Sequence, residues 1–575
     1  MSETSFFRNT FAQNIFNAKY RHEGAQSWDE LSETLVHDVC QDWLTSDEKA
    51  KLIEIHTNMQ FIAGGRYLYY AGRPNRFYNN CFLLKAENDT RQDWADLSWR
   101  AESSLMTGGG IGIDYSVYRE SGSPLSKTGG TASGPIAKMK MINEIGRFVM
   151  QGGARRSAIY ASLNWRHGDA EEFLHVKDWN QMSIPGKFED GTPITIGALK
   201  EKDFNFWAPL DMTNISLNYD NAFLEEVFNL PIDEIERKVK TGEKLDVKYL
   251  PQIFLENVRQ AMMTGEPGFS FNFFDKENET LRNACTEVTS EDDSDVCNLG
   301  SLNMSRYETI AEFAHAVRLA TKFLVCGTLR AHLPYAKNDR VREKNRRLGL
   351  GLMGVHEWLL KRGYRYEVVD ELKEWLAVYR DVSDQVADHF CDQLGISRPV
   401  AKRAIAPTGT IGIMACTTTG IEPLFATAYK RRYLKSGHSW HYEYVIDGTA
   451  KELINKFSLK PDDIESALDL ASNPIRRIEF QAGIQDYVDM SISSTINLPA
   501  WGSSINNEEH VTSMAMALAE HSPRLRGMTV YPDGSRGGQP LTPVPFEEAL
   551  ALEGEEFEEV FMDVCDLTGT GTCSS

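Results

Sequence analysis

The sequence has 575 residues and a formal net charge of −21. Hydrophobic residues make up 42% and charged residues 25%, an ordinary globular composition that excludes a wholly disordered or fibrous chain. The acidic balance argues against a general binder of nucleic acid or anionic lipid, and no apolar run is long enough for a membrane span.

The first part of the chain, residues 1–75, has the pattern of helices. Apolar residues recur at helical spacing over 27–44, which predicts one helix. Ser46, Asp47 and Glu48 then predict the start of the next helix, because small polar and acidic residues favour helix N-termini. We therefore expect an N-terminal helical region.

Short β-rich runs alternate with helical runs between residues 76 and 540. The β-rich runs are 79–86, 111–117, 157–165 and 403–415, and the longest helical patterns cover 310–329 and 370–394. Such alternation is typical of an α/β fold with a parallel sheet or barrel. We predict one large α/β domain here.

Residues 541–575 differ in composition from the rest. Pro543 and Pro545 interrupt regular structure, glutamate dominates after them, and Gly, Thr and Ser surround Cys565 and Cys573. This composition predicts a flexible acidic tail, which by itself could equally be a frayed terminus without function.

The cysteines are sparse and odd in number, nine in 575 residues. This usage argues against a disulfide scaffold and favours a reducing, cytoplasmic environment. The start of the chain has neither a basic nor an apolar segment of the kind that secretory signals carry. We therefore expect some of the thiols to be free for chemistry.

Several motifs are too incomplete to assign a ligand. The segment GGGIGID at 108–114 lacks a full dinucleotide fingerprint and predicts a tight turn entering a strand. The segment SKTGGT at 126–131 lacks the spacing of a nucleotide-hydrolysing phosphate loop. His438 and His441 alone do not make a metal site, so we predict none.

The segment PTGTIG at 407–412 is more informative. A turn with two threonine hydroxyls and glycines can hold a phosphate through backbone N–H groups. We expect strand-like structure after this turn. The alternative to a phosphate site is a plain corner between a strand and a helix.

The strongest local pattern is NACTEV at 283–288, followed by CNLGSLN at 297–303. Asn283, Cys285 and Glu287 alternate, so an extended segment would point an amide, a thiol and a carboxyl the same way. Cys297 follows twelve residues after Cys285. A zinc site and unrelated core thiols are the alternatives at this point.

These motifs together resemble the catalytic subunit of ribonucleotide reductase. The resemblance covers most of residues 60–540 and keeps the motif order of that family. The further matching segments are FIAGGRYL and YNNCFLL (61–68 and 78–84), GGGIGIDYSVYRESGSPL (108–125), GGARRSAIYASLNW (152–165), RRLGLGLMG (346–354), TTTGIEPLFA (417–426) and TVYPDGSRGGQ (529–539).

The resemblance implies a ten-stranded α/β barrel of two parallel five-stranded halves around a catalytic finger loop. It implies that Cys285 carries the radical, that Cys81 and Cys297 become a disulfide, and that Asn283 and Glu287 are the hydrogen-bonding and acid/base partners. The substrate phosphates would bind the turn made of Pro407, Thr408, Gly409, Thr410 and Ile411.

The chemistry implied is the reduction of ribonucleoside di- or triphosphates to deoxyribonucleotides. Tyr531 is followed by Pro532 rather than by a second tyrosine, which resembles the adenosylcobalamin-dependent class. The alternative is a subunit that receives its radical from a separate ferritin-like protein. Ala284 and Thr286 depart from the Pro and Gly that the cobalamin class typically has. A third hypothesis is a non-catalytic nucleotide-binding protein with the same barrel.

The resemblance also implies partners. Cys565 and Cys573 would pass electrons from a thioredoxin or glutaredoxin-type reductant to the oxidised pair, although their spacing is wider than is usual in the family. Arg155 and Arg156 lie in a segment similar to the loops that sense a nucleotide effector, with a solvated arginine pair as the alternative. A homodimer is a further expectation. The chain begins after the point where an ATP-cone domain would precede the helical region, so we expect no activity control at such a site.

Overall fold

The computed structural model of the chain describes residues 6–8, 10–149, 157–188, 191–202, 206–435, 439–535 and 541–558. Its helices are α1 Thr10–Lys19, α2 Trp28–Cys40, α3 Ser46–Thr57, α4 Gly65–Tyr70, α5 Arg91–Met106, α6 Gly134–Phe148, α7 Ala170–His175, α8 Ile196–Lys202, α9 Asn221–Phe228, α10 Ile232–Thr241, α11 Gln252–Thr264, α12 Ile310–Arg330, α13 Ala336–Asn345, α14 Val355–Lys361, α15 Asp370–Leu394, α16 Gly409–Ala415, α17 Gly448–Phe457, α18 Ala467–Leu470, α19 Ile475–Gln485, α20 Glu508–His521 and α21 Phe546–Leu552. Short 3-10 turns cover Phe274–Lys276, Met304–Arg306, Pro461–Asp463 and Ser522–Arg524.

The strands are β1 Phe61–Ala63, β2 Cys81–Lys85, β3 Gly110–Asp114, β4 Ile159–Asn164, β5 Ser183–Lys187, β6 Pro193–Thr195, β7 Thr213–Tyr219, β8 Gly268–Phe271, β9 Leu281–Arg282, β10 Thr289–Ser290, β11 Asp295–Asn303, β12 Leu348–Met353, β13 Ala428–Lys435, β14 Ser439–Ile446, β15 Thr495–Leu498, β16 Gly527–Pro532, β17 Leu541–Pro543 and β18 Glu556–Glu558. Within the described ranges, none of the helices has the length and apolar character needed to cross a bilayer.

One half of the main sheet consists of five parallel strands in the order β2, β3, β4, β7, β8. Helices connect most of these strands, since parallel neighbours need a crossover rather than a tight turn. The runs predicted at 79–86, 111–117 and 157–165 are confirmed as β2, β3 and β4. The predicted α/β architecture therefore holds for this half.

The second half runs parallel within itself and antiparallel to the first. It contains β11, β12, the segment 401–405, the segment 490–493 leading into β15, and β16. Parallel bridges join Leu350 to Arg403 and Ile405 to Ile492. Antiparallel pairs join the halves at β11–β2 and at β16–β8. These pairings lead around all ten segments, as the expected ten-stranded barrel requires.

The apolar core lies on both faces of this sheet. One large cluster packs helices α2, α12 and α15 against β11 and β12, and another packs α5, α6 and α11 against the first half. A small third cluster fills the inside of the barrel, and Cys81, Cys297, Leu281, Val288 and Met490 belong to it. Both predicted redox cysteines are therefore interior residues.

Local signals position the outer helices. Ser27 caps α2, and Thr45 with Glu48 forms a capping box at α3, so both N-terminal predictions are confirmed. The long helices predicted at 310–329 and 370–394 are confirmed as α12 and α15. Thr309 begins α12 with a second capping box.

The β-rich expectation for 403–415 is only partly right. Residues 403 and 405 make barrel bridges, but Gly409–Ala415 is the helix α16. Thr408 adopts a left-handed conformation with φ of 50° and turns the chain from strand into helix. The apolar residues after the turn suit either a buried strand or a buried helix, because short apolar runs do not distinguish the two.

The expectation of a flexible tail beginning at residue 541 is wrong for its first part. Residues 541–558 form β17, α21 and β18, which extend the β13–β14 hairpin to four strands. Pro543 is tolerated because β17 is an edge strand. Phe557 stacks on Tyr442 with ring centroids 5.2 Å apart, which gives β18 an apolar contact. Cys565 and Cys573 lie outside the described residues.

Candidate active site

The NACTEV segment forms a loop inside the barrel. Strands β9 and β10 pair as a hairpin, and residues 283–288 are the loop between them. This loop runs so close to β3 that a Cβ atom on Gly112 would lie 1.6 Å from the carbonyl oxygen of Arg282. A Cβ on Gly110 would lie 3.0 Å from the Cβ of Ala284. The glycines of GGGIGID therefore make room for the loop.

Hydrogen bonds hold this finger loop to both halves of the barrel. Asn214 on β7 donates to the carbonyl oxygen of Ala284 over 3.3 Å. On the other side, the backbone N–H of Ser491 donates to the carbonyl oxygen of Glu287 over 2.8 Å. At the base, the buried guanidinium of Arg282 donates to Asn272 Oδ1 over 2.7 Å. The loop conformation is therefore set by the surrounding strands.

The two predicted redox cysteines face each other. Cys81 on β2 and Cys297 on β11 are partners in the antiparallel register, and both are buried. Burial raises the pKa of each thiol well above its ordinary value, and the charge of Glu287 raises the pKa of Cys81 further. Both are therefore neutral thiols that can donate hydrogen.

Cys285 occupies the tip of the finger loop and is exposed. It lines a cavity of about 330 Å³ together with Cys81, Asn283 and Glu287. Cys285 is both exposed and part of the cavity lining, so a ligand in the cavity can reach its thiol.

Asn283 and Glu287 lie beside Cys81. Asn283 Nδ2 is 3.1 Å from Cys81 Sγ, and its Oδ1 accepts from the backbone N–H of Val288 over 2.9 Å. Glu287 Oε1 is 4.0 Å from the same sulfur. Burial raises the pKa of Glu287 to about 7, with the Asn283 hydrogen bond acting in the opposite direction. A carboxyl with this pKa can accept and return a proton near neutrality.

The predicted phosphate turn lies across the same cavity. Pro407, Thr408, Gly409, Thr410 and Ile411 all line it. The Thr408 hydroxyl accepts a hydrogen bond from the backbone N–H of Gly420 over 2.8 Å, and this bond holds the turn against the segment that contains Gly420. The tertiary fold thus brings two motifs that are far apart in the chain to one cavity.

Several cavity residues are not among those predicted from the sequence, for example Arg66, Asn80 and Ser301. Ser301 had a usable signal, because strand alternation places it on the same face as Cys297. Asn80 precedes Cys81 directly. Arg66 had no local signal; its guanidinium lies against Gly108, where a Cβ would be 2.0 Å away.

Other predicted residues are not part of the described site. Arg155 and Arg156 lie outside the described residues, as do the two tail cysteines. Among the described side chains there is no group of three or more histidine, cysteine, aspartate or glutamate residues arranged to hold a metal ion. The lining of the cavity that contains Cys285 includes small residues such as Gly108, Ala158 and Ala284.

Comparison with known protein families matches most of the barrel region. The model of the ribonucleotide reductase barrel domain matches residues 79–374 and 398–531. The two matched segments include every predicted site residue of the barrel, from Cys81 to the phosphate turn.

Individual relatives of the chain carry names from the same family. The vitamin B12-dependent ribonucleoside-diphosphate reductase of Mycobacterium tuberculosis is 25% identical over 550 residues, covering 87% of this chain and 74% of that protein. The protein of the same name from Thermoplasma acidophilum is 25% identical, with 88% and 68% covered. A putative adenosylcobalamin-dependent ribonucleoside-triphosphate reductase of Mycobacterium phage D29 is 27% identical, with 73% and 66% covered.

Proposed function

Because this chain belongs to the ribonucleotide reductase family, we propose that it reduces ribonucleotides to 2′-deoxyribonucleotides in the cavity that contains Cys285. The observation that carries the proposal is the convergence of Cys285, Cys81, Glu287 and the 407–411 turn on one cavity. Cys297 lies opposite Cys81 in the adjoining strand. The thiols, the carboxyl and the anion-binding turn are the groups that this reduction needs.

The proposed reaction begins at Cys285. A thiyl radical on this residue removes the 3′ hydrogen atom of the ribose, and Glu287 accepts the 3′-hydroxyl proton. The 2′-hydroxyl then leaves as water after it receives a proton from a thiol of the Cys81–Cys297 pair. That pair then gives a hydrogen atom to C2′ and one further electron as it closes to a disulfide, while Glu287 returns its proton to the 3′ oxygen. Cys285 finally returns its hydrogen to C3′ and is again a thiyl radical. The balance is one ribonucleotide and two thiols converted to one deoxyribonucleotide, one disulfide and one water.

The neutral state of the two buried thiols supports this assignment. Their pKa values are raised by burial, so each sulfur holds its proton until the leaving group takes one. The carboxyl of Glu287 has one oxygen beside Cys81, and among the described residues its Oε2 has no hydrogen-bond partner. That oxygen can face the substrate hydroxyl.

We propose adenosylcobalamin as the source of the radical, as the names of the relatives indicate for those proteins. When bound, this cofactor supplies a carbon radical by homolysis of its cobalt–carbon bond. The chain's own contribution is an accessible Cys285 in a cavity whose lining also includes Gly108 and Ala158, small residues that would face the cofactor. The alternative, a radical delivered by a ferritin-like subunit, would need a relay to Cys285, and Tyr531 is followed by proline rather than by a second tyrosine.

The remaining expectations belong to the same proposal. We propose that Cys565 and Cys573 re-reduce the Cys81–Cys297 disulfide by thiol exchange, with a thioredoxin or glutaredoxin-type protein as the electron donor. The proposal also includes a nucleotide effector that acts near Arg155 and Arg156. We further propose that the chain forms a homodimer. Replacing both tail cysteines by serine should leave one turnover intact and stop cycling with thioredoxin; equal steady-state rates would remove the tail from the mechanism.

The deciding experiment measures deoxyribonucleotide formation from di- and triphosphates with a dithiol reductant. The arms contain adenosylcobalamin, a ferritin-like radical-generating subunit, or neither, and each is repeated with Cys285→Ser. Product with cobalamin alone, abolished in Cys285→Ser while nucleotide binding persists, supports the proposal. Product only with the added subunit supports the alternative. Nucleotide binding without product in any arm would favour a non-catalytic role.

A further inference from the structure

The N-terminal helix contacts the helix that carries the phosphate turn. Helix α1 packs against α16, and Lys19, the last residue of α1, places its ammonium nitrogen 3.4 Å from the hydroxyl of Thr410. Tyr20, the next residue, lines the same cavity as Cys285 and Thr410. The end of α1 therefore lies at the edge of the proposed substrate site.

A second contact holds the other end of α16. The guanidinium of Arg8 is 3.5 Å from the carbonyl oxygen of Cys416, and Arg306 donates to the carbonyl oxygen of Ala415 over 3.1 Å. Arg8 is itself paired with Glu452 at 2.9 Å. The N-terminal segment thus contacts α16 at both ends, so the position of Lys19 relative to the turn is constrained.

A polyphosphate bound at the turn would need positive charge nearby, and Lys19 can supply it. The 407–411 turn has no ionisable side chain, and a polyphosphate carries several negative charges. Among the residues that line the cavity, all within the described part of the chain, Arg66 is the only lysine or arginine. Arg66 lies against Gly108 and stacks on Tyr69 at 5.1 Å, whereas the ammonium group at the turn is that of Lys19.

We propose that Lys19 binds the terminal phosphate of the ribonucleotide substrate, so that helix α1 completes the phosphate site of the barrel. This inference rests on the proposed function, because it takes the 407–411 turn as the phosphate site. The side chain of Lys19 is exposed, so it can exchange its contact with the Thr410 hydroxyl for a charged phosphate oxygen. The lysine ammonium is a compact charge on a flexible chain, so it can move to bind a phosphate oxygen.

The test is direct binding of cytidine 5′-diphosphate to the full chain, measured by calorimetry. Lys19→Met should raise the dissociation constant by roughly 10- to 100-fold, the effect expected for one charge-assisted hydrogen bond. Lys19→Arg should remain within a few fold of the unaltered chain. The matched control is Arg21→Gln, since Arg21 is two residues away and donates to Gln26 over 3.2 Å instead of to the turn.

Two further measurements separate binding from a structural effect. In turnover, Lys19→Met should raise KM with kcat within about twofold, because a contact made equally in substrate and transition state changes only binding. The dissociation constant of the unaltered chain should rise more steeply with salt than that of Lys19→Met. If Lys19→Met has a lower melting temperature than the unaltered chain, the measurements are repeated with Lys19→Gln. Glutamine keeps a hydrogen-bond donor for Thr410 but has no charge.

The outcomes are distinct. Diphosphate binding that is equal in the unaltered chain and in the uncharged variant overturns the role of Lys19 and leaves the proposed function standing. A loss of kcat without a change in KM also overturns it. An unaltered chain that binds no ribonucleotide overturns the proposed function and this inference together.

Discussion

Cys81 and Cys297 lie directly opposite each other across the antiparallel pair β2–β11, although they are far apart in the chain. Opposite residues in such a pair have Cα atoms roughly 4.5–5.5 Å apart and side chains on the same face. This separation falls within the roughly 4.4–6.8 Å that a disulfide requires. The Cα positions expected from this register therefore suit a disulfide between the two residues.

We predict that one turnover without external reductant forms this disulfide. The experiment uses the chain with Cys565 and Cys573 changed to serine, so that the bond cannot be passed to the tail. Peptide mapping should find Cys81 linked to Cys297 and two thiols lost per chain. Adding Cys297→Ser should prevent the link. Adding Cys391→Ser, a buried thiol on α15, should not affect it. A link between any other pair would contradict the assignment.

Glu287 should determine the pH dependence of turnover. Its pKa is raised to about 7 by burial, and a general base works only as the carboxylate. We expect kcat to rise between pH 6 and 8 with a midpoint near 7. Glu287→Gln should lower kcat by about 10²–10⁴-fold and remove this rise. Asp447→Asn is the matched control, because burial also raises the pKa of Asp447 to about 7 but that residue caps α17.

The carboxyl of Glu287 should also make the free energy of unfolding fall as the pH rises. The folded pKa of about 7 lies above the ordinary value of 4.5, so the folded chain binds the proton more tightly than the unfolded chain. This stabilising contribution is complete below pH 4.5 and is lost as the pH rises through 7, a change of about 3 kcal/mol. The free energy of unfolding of Glu287→Gln, measured with urea, should lack this decrease. If the free energies of unfolding of the two chains changed with pH in parallel, the proposed contribution of Glu287 would be excluded.

Gly112 should be indispensable for the position of the finger loop. A Cβ at this residue would lie 1.6 Å from the Arg282 carbonyl oxygen, which cannot move without displacing the loop. We expect Gly112→Ala to lower kcat by about 100-fold, the cost of misplacing a reacting group by about 1 Å. Gly527→Ala on β16 is the control, since its nearest contact is 3.4 Å. Turnover within twofold of the unaltered chain for Gly112→Ala would refute the close approach.

Thr286 should be a strained residue. Its φ is +70°, a left-handed conformation that costs a residue with a Cβ roughly 1–2 kcal/mol and that glycine adopts freely. Thr286→Gly should raise the free energy of unfolding by about 1 kcal/mol, measured by chemical denaturation. Thr286→Ala keeps the Cβ and should therefore raise the free energy of unfolding by less than Thr286→Gly. An equal gain in both variants would show that the left-handed backbone is not the cause.

Short-range sequence patterns indicate much of the local chemistry. Thr45 and Glu48 form a capping box at the helix start that the small polar and acidic residues predict. The alternation of Asn283, Cys285 and Glu287 indicates three polar side chains that could act together, with unrelated core thiols as the alternative. The resemblance to a known family then supplies the barrel and the redox pair. Short-range rules fail at 409–415, where a buried apolar run is helical, and at 541–558, where packing against Tyr442 orders a segment whose composition predicts mobility.

The residue types, the helix starts and the order of the motifs were determined by the sequence alone, because they depend on neighbours a few positions away. The tertiary structure decided which distant residues meet. The register of Cys81 with Cys297, the cavity shared by Cys285 and Thr410, and the contact between Lys19 and Thr410 all follow from the packing of the barrel. No local periodicity encodes such contacts, since they depend on how segments distant in the chain pair into one closed sheet.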